Sequence, residues 1–352
     1  MGEGIHLTFR GAIIGCGFFA QNHLRAWAEL ADVAIVAVCD SDADRARTTA
    51  RVHNIGRVYA DAADLLEHEQ LDFIDVATTP ESHRDLVELA ASRCRLVICQ
   101  KPIANTYADA LAMVAAAEAA GATLMVHENF RWQKPYREIA RRIAAGDIGT
   151  PRFARISFRH GVDNYVNQPY LKRIERFALM DMGLHLFDLA RQLINEVETV
   201  SCRTQRRNPE VRGEDAFTAL LGHVGGATTV LDCSYHSVIR PEPFPQTTAW
   251  IEGDDASLSL TADYRLQWHR HDGVREVLLE PPVPVWGAPP WHGVMDSVRA
   301  FESHVVDVLN GRAEPEPSGR HNLMTLALAL ASYDSAERDE TIAIDAWIEA
   351  RE

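Results

Sequence analysis

The chain has 352 residues, of which 47% are apolar and 24% are charged. This is the composition of a globular protein, and the length suggests two domains. Acidic residues outnumber basic ones by 50 to 35, so the net charge is −15 and the pI is about 5.4. Such a balance argues against nucleic acid or an anionic membrane as the main partner, because both bind basic surfaces.

Targeting and metal-binding motifs are not evident. The N-terminal residues lack the basic segment and apolar run of a signal peptide, and no apolar run approaches the roughly 18 residues of a membrane span. The six cysteines form no C-x-x-C pair, which predicts reduced structural thiols and no zinc site. We therefore expect a cytoplasmic protein with no membrane attachment and no bound metal.

The clearest local pattern runs from Phe9 to Asp40. Residues 12–14 are a short apolar run that stops at a glycine, as a buried parallel strand does. The next six residues, GCGFFA at 15–20, fit the G-x-G-x-x-G/A pattern, and apolar residues then recur with helical spacing. A β-branched run at 33–38 precedes Asp40. Strand, glycine turn, helix, strand and acid together predict a dinucleotide-binding βαβ unit.

The spacing suits the chemistry of a dinucleotide. Gly15 allows the tight turn, Gly17 lets a pyrophosphate approach the backbone, and Ala20 lets the helix pack closely on the strand. The helix N-terminus offers N–H groups to the phosphates. The Asp40 carboxylate can accept both ribose hydroxyls and would repel a 2′-phosphate, which favours NAD over NADP. Two basic side chains lie nearby in the sequence and could bind a 2′-phosphate, so NADP stays an alternative cofactor: Arg45 and Arg47. The other residues expected beside the cofactor here are Phe18, Phe19 and Ser41.

Strands and helices alternate up to residue 126, which predicts a doubly wound parallel sheet. The strand at 71–77 ends in the loop TTPESH at 78–83, and α/β sheets place their ligands at such strand ends. Thr78, Thr79, Pro80 and His83 are therefore candidates for cofactor contacts. Ordinary loop and capping chemistry explains the same residues equally well.

Lys101 follows a short strand at 96–99 and precedes Pro102. The proline favours an extended backbone at the lysine and permits a cis peptide bond. The lysine is either solvated beside a turn or directed toward the cofactor, and its position at a strand end favours the second interpretation.

The second half of the sequence has a different pattern of apolar and polar residues. Alternating apolar and polar residues separated by turn signals predict about six strands of an open, mostly antiparallel sheet, with one face solvated or used for assembly. These strands lie at 153–158, 216–221, 228–231, 249–251, 258–260 and 277–279. A closing strand is expected at 341–344, after two helices at 296–309 and 319–337.

One helix, predicted over 179–189, interrupts these strands. Asp181 and His185 are four residues apart, so they share a helix face and could handle a proton together. The alternative is an N-capping aspartate followed by a core histidine. Before this helix, Arg131 either binds a ligand or stacks on Trp132 or Tyr136.

Taken together, these motifs resemble the Gfo/Idh/MocA family of sugar and polyol oxidoreductases. The resemblance runs from about residue 10 to 344. It rests on GCGFFA, Asp40, TTPESH, the QKP at 100–102, the NFR at 129–131 and the DMGLHLFD at 181–188. The family usually has glutamate before the lysine, where this chain has Gln100. The resemblance implies an NAD(P)-binding Rossmann domain, expected at 1–126, and an α+β domain for substrate and oligomerisation, expected at 127–352.

The resemblance also implies roles for individual residues. Lys101 matches the active-site lysine that contacts the substrate hydroxyl and the nicotinamide ribose, Asp181 the substrate-binding acid, and His185 the general base. The loop at 78–83 and Gln100 match positions along the cofactor, and Asn129 and Arg131 match positions beside the substrate. Hydride would pass from a carbinol carbon to nicotinamide while the histidine removes the hydroxyl proton.

The segments GCGFFAQNHLRAW and HENFRWQ are similar to family members that act on aldoses, including D-apiose dehydrogenases, which oxidise the anomeric carbon to a lactone. We therefore expect an NAD-dependent dehydrogenase of a sugar or cyclic polyol that assembles as a homodimer or homotetramer through its C-terminal sheet. Two other interpretations stay open. One is a glycosidase or lyase that uses NAD without net turnover, and the other is a dinucleotide-binding sensor without catalysis.

Overall fold

A computed structural model describes residues 8–166 and 168–351. The chain divides into two compact units, one formed by residues up to 129 together with 298–323, the other by 130–297 together with 324 onward. From the sequence, everything after residue 126 is expected in the second domain, so the two divisions differ. Residues 298–323 belong with the first unit partly because Ser318 forms a β-bridge with Met125 and the Val126 N–H donates to the carbonyl of Pro317. A single bridge of this kind has no recognisable sequence pattern.

The first unit is built on six parallel strands. They are β1 (Phe9–Ile14), β2 (Val33–Cys39), β3 (Arg57–Tyr59), β4 (Phe73–Val76), β5 (Leu96–Gln100) and β6 (Thr123–His127). Their order in the sheet is β3-β2-β1-β4-β5-β6, so the strand order reverses next to β1. The helices between them are α1 (Ala20–Trp27), α2 (Ala43–His53), α3 (Ala62–His68), α4 (His83–Ala91) and α5 (Tyr107–Ala119). Ligands bind at such a reversal, beyond the carboxyl ends of the strands.

The glycine motif packs as its small residues require. Ala20, at the start of α1, is 1% exposed and packs in one apolar cluster with Ile13, Leu24 and Val38. Burying these side chains fixes the start of the helix at the carboxyl end of β1, so the turn between them has one defined shape.

The second unit begins with α6 (Lys134–Ala144) and contains one large sheet. Its strands are β7 (Pro151–Arg159), β8 (Val197–Gln205), β9 (Ala216–His223), β10 (Thr228–Ser234), β11 (Thr248–Gly253), β12 (Ser257–Leu260), β13 (Arg265–Arg270), β14 (Gly273–Leu278) and β15 (Ile342–Ala343). The remaining helices are α7 (Leu184–Leu193), α8 (His292–Leu309), α9 (Gly319–Arg338) and α10 (Ile344–Glu349). Residues 298–309 of α8 and 319–323 of α9 belong to the first unit. The sheet order is β14-β13-β12-β11-β7-β10-β9-β8-β15, and only the β7–β10 pair is parallel.

This sheet has one apolar face and one polar face. Directly paired residues point to the same side, and one such row across the strands is almost fully buried. It consists of Cys202, Ala219, Leu231, Ile156, Ala249, Leu260 and Leu266. The row on the other face mixes polar, charged and half-exposed apolar residues. It consists of Ser201, Leu220, Val230, Arg155, Trp250, Ser259, Gln267 and Glu276.

The predicted fold class, a doubly wound parallel sheet followed by an open, mostly antiparallel sheet, is confirmed. The predicted strand count is wrong, because β8 and β13 were missed. A register shift between Val197 and Thr199 breaks the alternation of β8, and β13 has only Leu266 and Trp268 as apolar residues. Among the described helices, none is long and apolar enough to cross a membrane.

Candidate active site

The two glycines of the turn after β1 differ in what surrounds them. Gly15 has φ +99°, and a Cβ there would lie 2.6 Å from the carbonyl oxygen of Ala77. A Cβ on Gly17 would have no described atom within 4 Å. Gly15 is therefore required by the backbone, whereas Gly17 keeps the surface beside the start of α1 open for close approach. Phe18 is 61% exposed in the same turn, and Phe19 directly precedes α1.

Asp40 lies just past β2 and is 8% exposed. Its Oδ2 accepts the Cys16 N–H at 2.8 Å, and its Oδ1 accepts the Asp42 N–H at 2.9 Å. Arg45 approaches the same carboxylate, with Nη1 3.4 Å from Oδ2. The carboxylate thus braces the glycine turn, which the sequence analysis did not foresee. Ser41 is exposed beside it, and Arg47 pairs with Asp44.

The loop at 78–83 is held by a buried imidazole. His83 is fully buried, with Nδ1 3.1 Å from the carbonyl oxygens of Pro102 and Ile103 and Nε2 3.2 Å from that of Thr78. Burial lowers the pKa of His83, which favours the neutral ring. Its ring nitrogens thus face backbone of the two loops that follow β4 and β5. The predicted contacts of Thr78, Thr79, Pro80 and His83 with a cofactor stay predictions.

Lys101 follows β5 and is half-buried, and the peptide bond to Pro102 is cis. The side chain of Gln100, 9% exposed, lies between this lysine and α1. Its Oε1 accepts the Lys101 N–H at 2.7 Å, and its Nε2 lies 3.1 Å from Nε2 of His23. Nδ1 of His23 is in turn 2.9 Å from Oδ2 of Asp75. The family resemblance predicts a cofactor contact for Gln100, and these protein contacts were not predicted.

One group of described residues has the composition of a metal site. His23, His127 and Glu302 are all buried, and their ligand atoms lie within 4.8 Å of one another. The two imidazole rings, however, stack 4.0 Å apart at an interplanar angle of 23°. Because the nitrogen lone pairs lie in the ring planes, one ion cannot be in line with both of them. We therefore regard this group as a polar cluster, and the absence of a metal stays a prediction.

The segment containing Asp181 begins with a π-helical turn, Leu179–Gly183, which continues into α7. The helix predicted over 179–189 is therefore present, but its first five residues form a π-helical turn that the sequence did not indicate. The Tyr235 hydroxyl donates to Oδ2 of Asp181 at 2.6 Å. His185 is 3% exposed, and its ring stacks on Phe130 with centroids 4.0 Å apart. π-Helical turns often occur at functional sites, where they change the direction of a side chain.

Arg131 has a partner that the sequence analysis did not consider. Its Nε and Nη2 donate to Asp188 at 2.7 and 2.9 Å, and both side chains are almost fully buried. Arg137 lies over the Trp132 ring at 4.4 Å. The bidentate pair joins the segment after Asn129 to α7, one turn beyond His185. Asn129 itself is 2% exposed, at the end of the first unit.

His160 and Tyr235 are two further candidates that the sequence analysis missed. They follow β7 and β10, which run parallel, so their rings meet at one edge of the sheet with centroids 4.9 Å apart. Burial lowers the pKa of His160 to about 4. Polar and aromatic residues directly after a strand were visible in the sequence, but the parallel pairing within a mostly antiparallel sheet was not.

Comparison with known proteins agrees with this architecture. Residues 9–128 match the description "Oxidoreductase family, NAD-binding Rossmann fold", and residues 136–259 match the "GFO/IDH/MocA C-terminal domain". A D-apiose dehydrogenase of Paraburkholderia graminis is 48% identical over 95% of this chain and 89% of its own length. The chain belongs to the GFO/IDH/MocA oxidoreductase family. It is an NAD-dependent dehydrogenase, and this prediction is confirmed.

Two further relatives span nearly the whole chain. A D-apiose dehydrogenase of Rhizobium rhizogenes is 42% identical over 96% of this chain and 98% of its own length. The crystal structure of an oxidoreductase from Agrobacterium radiobacter in complex with NAD+, L-tartaric acid and magnesium has a TM-score of 0.94 and 43% identity. That comparison covers 96% of this chain and 99% of the other.

Proposed function

We propose that this dehydrogenase oxidises an aldose, with D-apiose as the first candidate, at the anomeric carbon to give a lactone. The observation that carries the proposal is the similarity to two enzymes named D-apiose dehydrogenase, at 48% and 42% identity over nearly the full length of this chain. Five relatives named inositol dehydrogenases are 26–33% identical over 54–65% of the chain. An aldose is therefore favoured over a cyclic polyol.

We propose that Lys101, Asp181 and His185 act on the substrate. When bound, NAD accepts the hydride. The Lys101 ammonium stabilises the negative charge that develops on the substrate oxygen. His185 accepts the hydroxyl proton as general base, and its stacking on Phe130 limits the ring to one orientation. Asp181, oriented by the Tyr235 hydroxyl, accepts a hydrogen bond from a second substrate hydroxyl.

The cofactor is proposed to bind along the glycine turn, with its adenosine ribose near Asp40 and Ser41. The open surface beside Gly17 supports this assignment. The carboxylate of Asp40 favours a free 2′-hydroxyl, which is consistent with NAD. Arg45 lies close enough to the same carboxylate to meet a 2′-phosphate if the acid were removed. Arg131, bound to Asp188, is proposed to support the substrate region through α7.

The test is an NADH-formation assay with D-apiose, other aldoses, inositols and sugar acids, with NAD and NADP compared. D-apiose should give the highest kcat/KM with NAD, and a lactone should be the product. Lys101→Ala should abolish turnover and keep NAD affinity, whereas the exposed Lys134→Ala serves as the matched control and should behave as wild type. Substrate turnover without net NADH formation would instead support the glycosidase or lyase interpretation. Absence of turnover with every sugar would reject the proposed substrate class.

We also propose that subunits assemble through the polar face of the large sheet, as a homodimer or homotetramer. Leu220 and Trp250 are 49% and 38% exposed in one row of that face, so an interface between subunits there would remove apolar surface from water. Light scattering should show the oligomer for wild type and smaller species for Leu220→Glu. The control is Val285→Glu, a fully exposed loop residue, which should keep the oligomer. All six cysteines are free thiols, which supports a cytoplasmic location.

A further inference from the structure

Gln100 ends β5 with its side chain buried, and the hydrogen bonds around it form a chain. The Lys101 N–H lies at one end of that chain and the Asp75 carboxylate at the other. Gln100 and His23 are the two links between them, and every step is 3.1 Å or shorter. All of these residues belong to the first unit.

The direction of every hydrogen bond in this chain follows from its backbone end. A backbone N–H can only donate, so the atom of Gln100 that faces Lys101 must be the amide oxygen. The amide NH₂ group then faces Nε2 of His23, which must carry no proton in order to accept. The ring proton is therefore on Nδ1 and is donated to Asp75. The Trp27 Nε1–H donates to the same Asp75 oxygen at 2.9 Å and orients the carboxylate.

The remaining groups around His23 support a neutral ring. His127, at the end of β6, stacks on it at 4.0 Å, and Phe19 lies edge-on at 5.5 Å. Glu302 of α8 belongs to the same cluster, and neither of its carboxyl oxygens has a hydrogen-bond partner among the described residues. Burial, together with the charges of Asp75 and Glu29, raises the pKa of Glu302 well above its usual range. A neutral Glu302 leaves Asp75 as the acid that fixes the imidazole.

We propose that Gln100 is a positioning residue. It holds the backbone of Lys101 at the end of a buried Asp75–His23–Gln100 chain and so fixes where the lysine ammonium lies. The inference rests on the proposed catalytic role of Lys101. It also explains why an amide, not a carboxylate, suits position 100 in this chain. Both groups can accept the Lys101 N–H, but only the amide can also donate to a neutral His23.

The test compares Gln100→Glu and Gln100→Met with wild type. The methionine has a similar length but no hydrogen bonds, so the lysine shifts. A shift of about 1 Å costs on the order of 100-fold in rate. We expect kcat to fall by that order while the NAD dissociation constant stays within about threefold of wild type, whereas lost binding alone would raise KM and spare kcat. Gln70 is exposed in the same unit, and Gln70→Glu and Gln70→Met are the matched controls.

The glutamate variant adds a second carboxylate beside His23, so its ring must be protonated to donate to both acids. Two carboxylates raise the pKa of an imidazole in the folded protein. The stabilisation is then present at low pH and lost as pH rises through that raised pKa. We expect Gln100→Glu to be active near pH 6 and to lose kcat as pH rises through the neutral range, where the wild-type kcat should not fall. A variant profile identical to that of wild type would overturn the inference.

Two measurements keep the outcomes separate. Nitrogen NMR of histidine-labelled wild-type protein should show His23 with its proton on Nδ1. A proton on Nε2 would contradict the proposed directions of the hydrogen bonds, and this result does not depend on whether a variant folds. Stoichiometric metal in the purified protein, lost in His23→Gln, would overturn it as well.

If Lys101→Ala keeps full turnover, the proposed function of the lysine fails. If that variant is inactive while Gln100→Met has the wild-type kcat, only the positioning role fails.

Discussion

Alanine substitutions at Gly15 and Gly17 should have opposite consequences, although both lie in one turn. At Gly15 the new Cβ would lie 2.6 Å from the oxygen and 2.7 Å from the carbon of the Ala77 carbonyl. The residue also has φ +99°, which costs a non-glycine residue about 1–2 kcal/mol. Moving the backbone of Ala77 adds about 1–3 kcal/mol. The free energy of unfolding should fall by about 2–5 kcal/mol, which corresponds to a melting temperature about 10 °C lower.

At Gly17 the same methyl group meets no described atom within 4 Å, and its φ is not in the left-handed region. The folded protein without cofactor should therefore melt at the wild-type temperature. The methyl group would, however, occupy the surface that a pyrophosphate approaches. A loss of about 1.4 kcal/mol in binding corresponds to a tenfold change, so the KM for NAD should rise about tenfold or more.

The assays are thermal unfolding without NAD and steady-state kinetics with NAD varied. The informative result is the crossed pattern, in which one variant loses stability and the other loses cofactor affinity. If Gly15→Ala melted with wild type, the turn geometry described for residue 15 would be incorrect. If Gly17→Ala kept the wild-type KM for NAD, the proposed path of the pyrophosphate along the turn would have to be abandoned.

Three further substitutions test other parts of the molecule. Asp40→Ser should raise the KM for NAD and lower the KM for NADP, measured by kinetics with both cofactors. The serine removes the negative charge so that Arg45 can meet the 2′-phosphate, and it keeps a side-chain oxygen as an acceptor for the turn. Asp188→Asn should lower the free energy of unfolding by about 3–5 kcal/mol in denaturant titrations, because it removes the carboxylate charge that pairs with the buried Arg131. Asp254→Asn, in the equally bidentate but exposed pair with Arg152, should change the free energy of unfolding little. Burial lowers the pKa of His160 from 6.5 to about 4. The neutral ring therefore contributes about 3 kcal/mol to the free energy of unfolding above pH 6.5, and this contribution is lost as pH falls to about 4. His160→Gln should flatten that acid loss relative to wild type, and the exposed His271→Gln should not.

The nucleotide-binding half was accessible from the sequence because its determinants are local. A strand, a glycine turn, a helix and a second strand each have a period or a residue requirement that a short window shows. Thr106 is an example. It caps α5 by accepting the Asp109 N–H at 3.1 Å, as its Thr-x-x-Asp pattern indicates. Information of this kind does not depend on which distant residues come together.

The partners of the candidate site residues were not accessible in this way. Asp188 lies 57 positions from Arg131, and Asp181 lies 54 positions from Tyr235. A bidentate arginine–carboxylate pair or a tyrosine–carboxylate bond has no spacing rule, because tertiary packing decides it. The sequence predicted a ligand or an aromatic ring beside Arg131, and it contained no signal for the Asp188 carboxylate that Arg131 contacts. The π-helical turn before α7 was not predicted either, because its residues also fit an ordinary α-helix.

Asp40 shows how one residue can combine a local and a tertiary role. Its place after β2 predicts a ribose contact, but in the structure the carboxylate already accepts the backbone N–H groups of Cys16 and Asp42. Those bonds hold the glycine turn in shape before any cofactor binds, which lowers the entropy lost on binding. With the ribose contact proposed above, cofactor preference and turn geometry would depend on the same side chain. A change of preference toward NADP must therefore remove the negative charge of Asp40 and also supply another acceptor for the Cys16 N–H. Substitutions that only remove the charge should bind both cofactors more weakly than substitutions that also supply the acceptor.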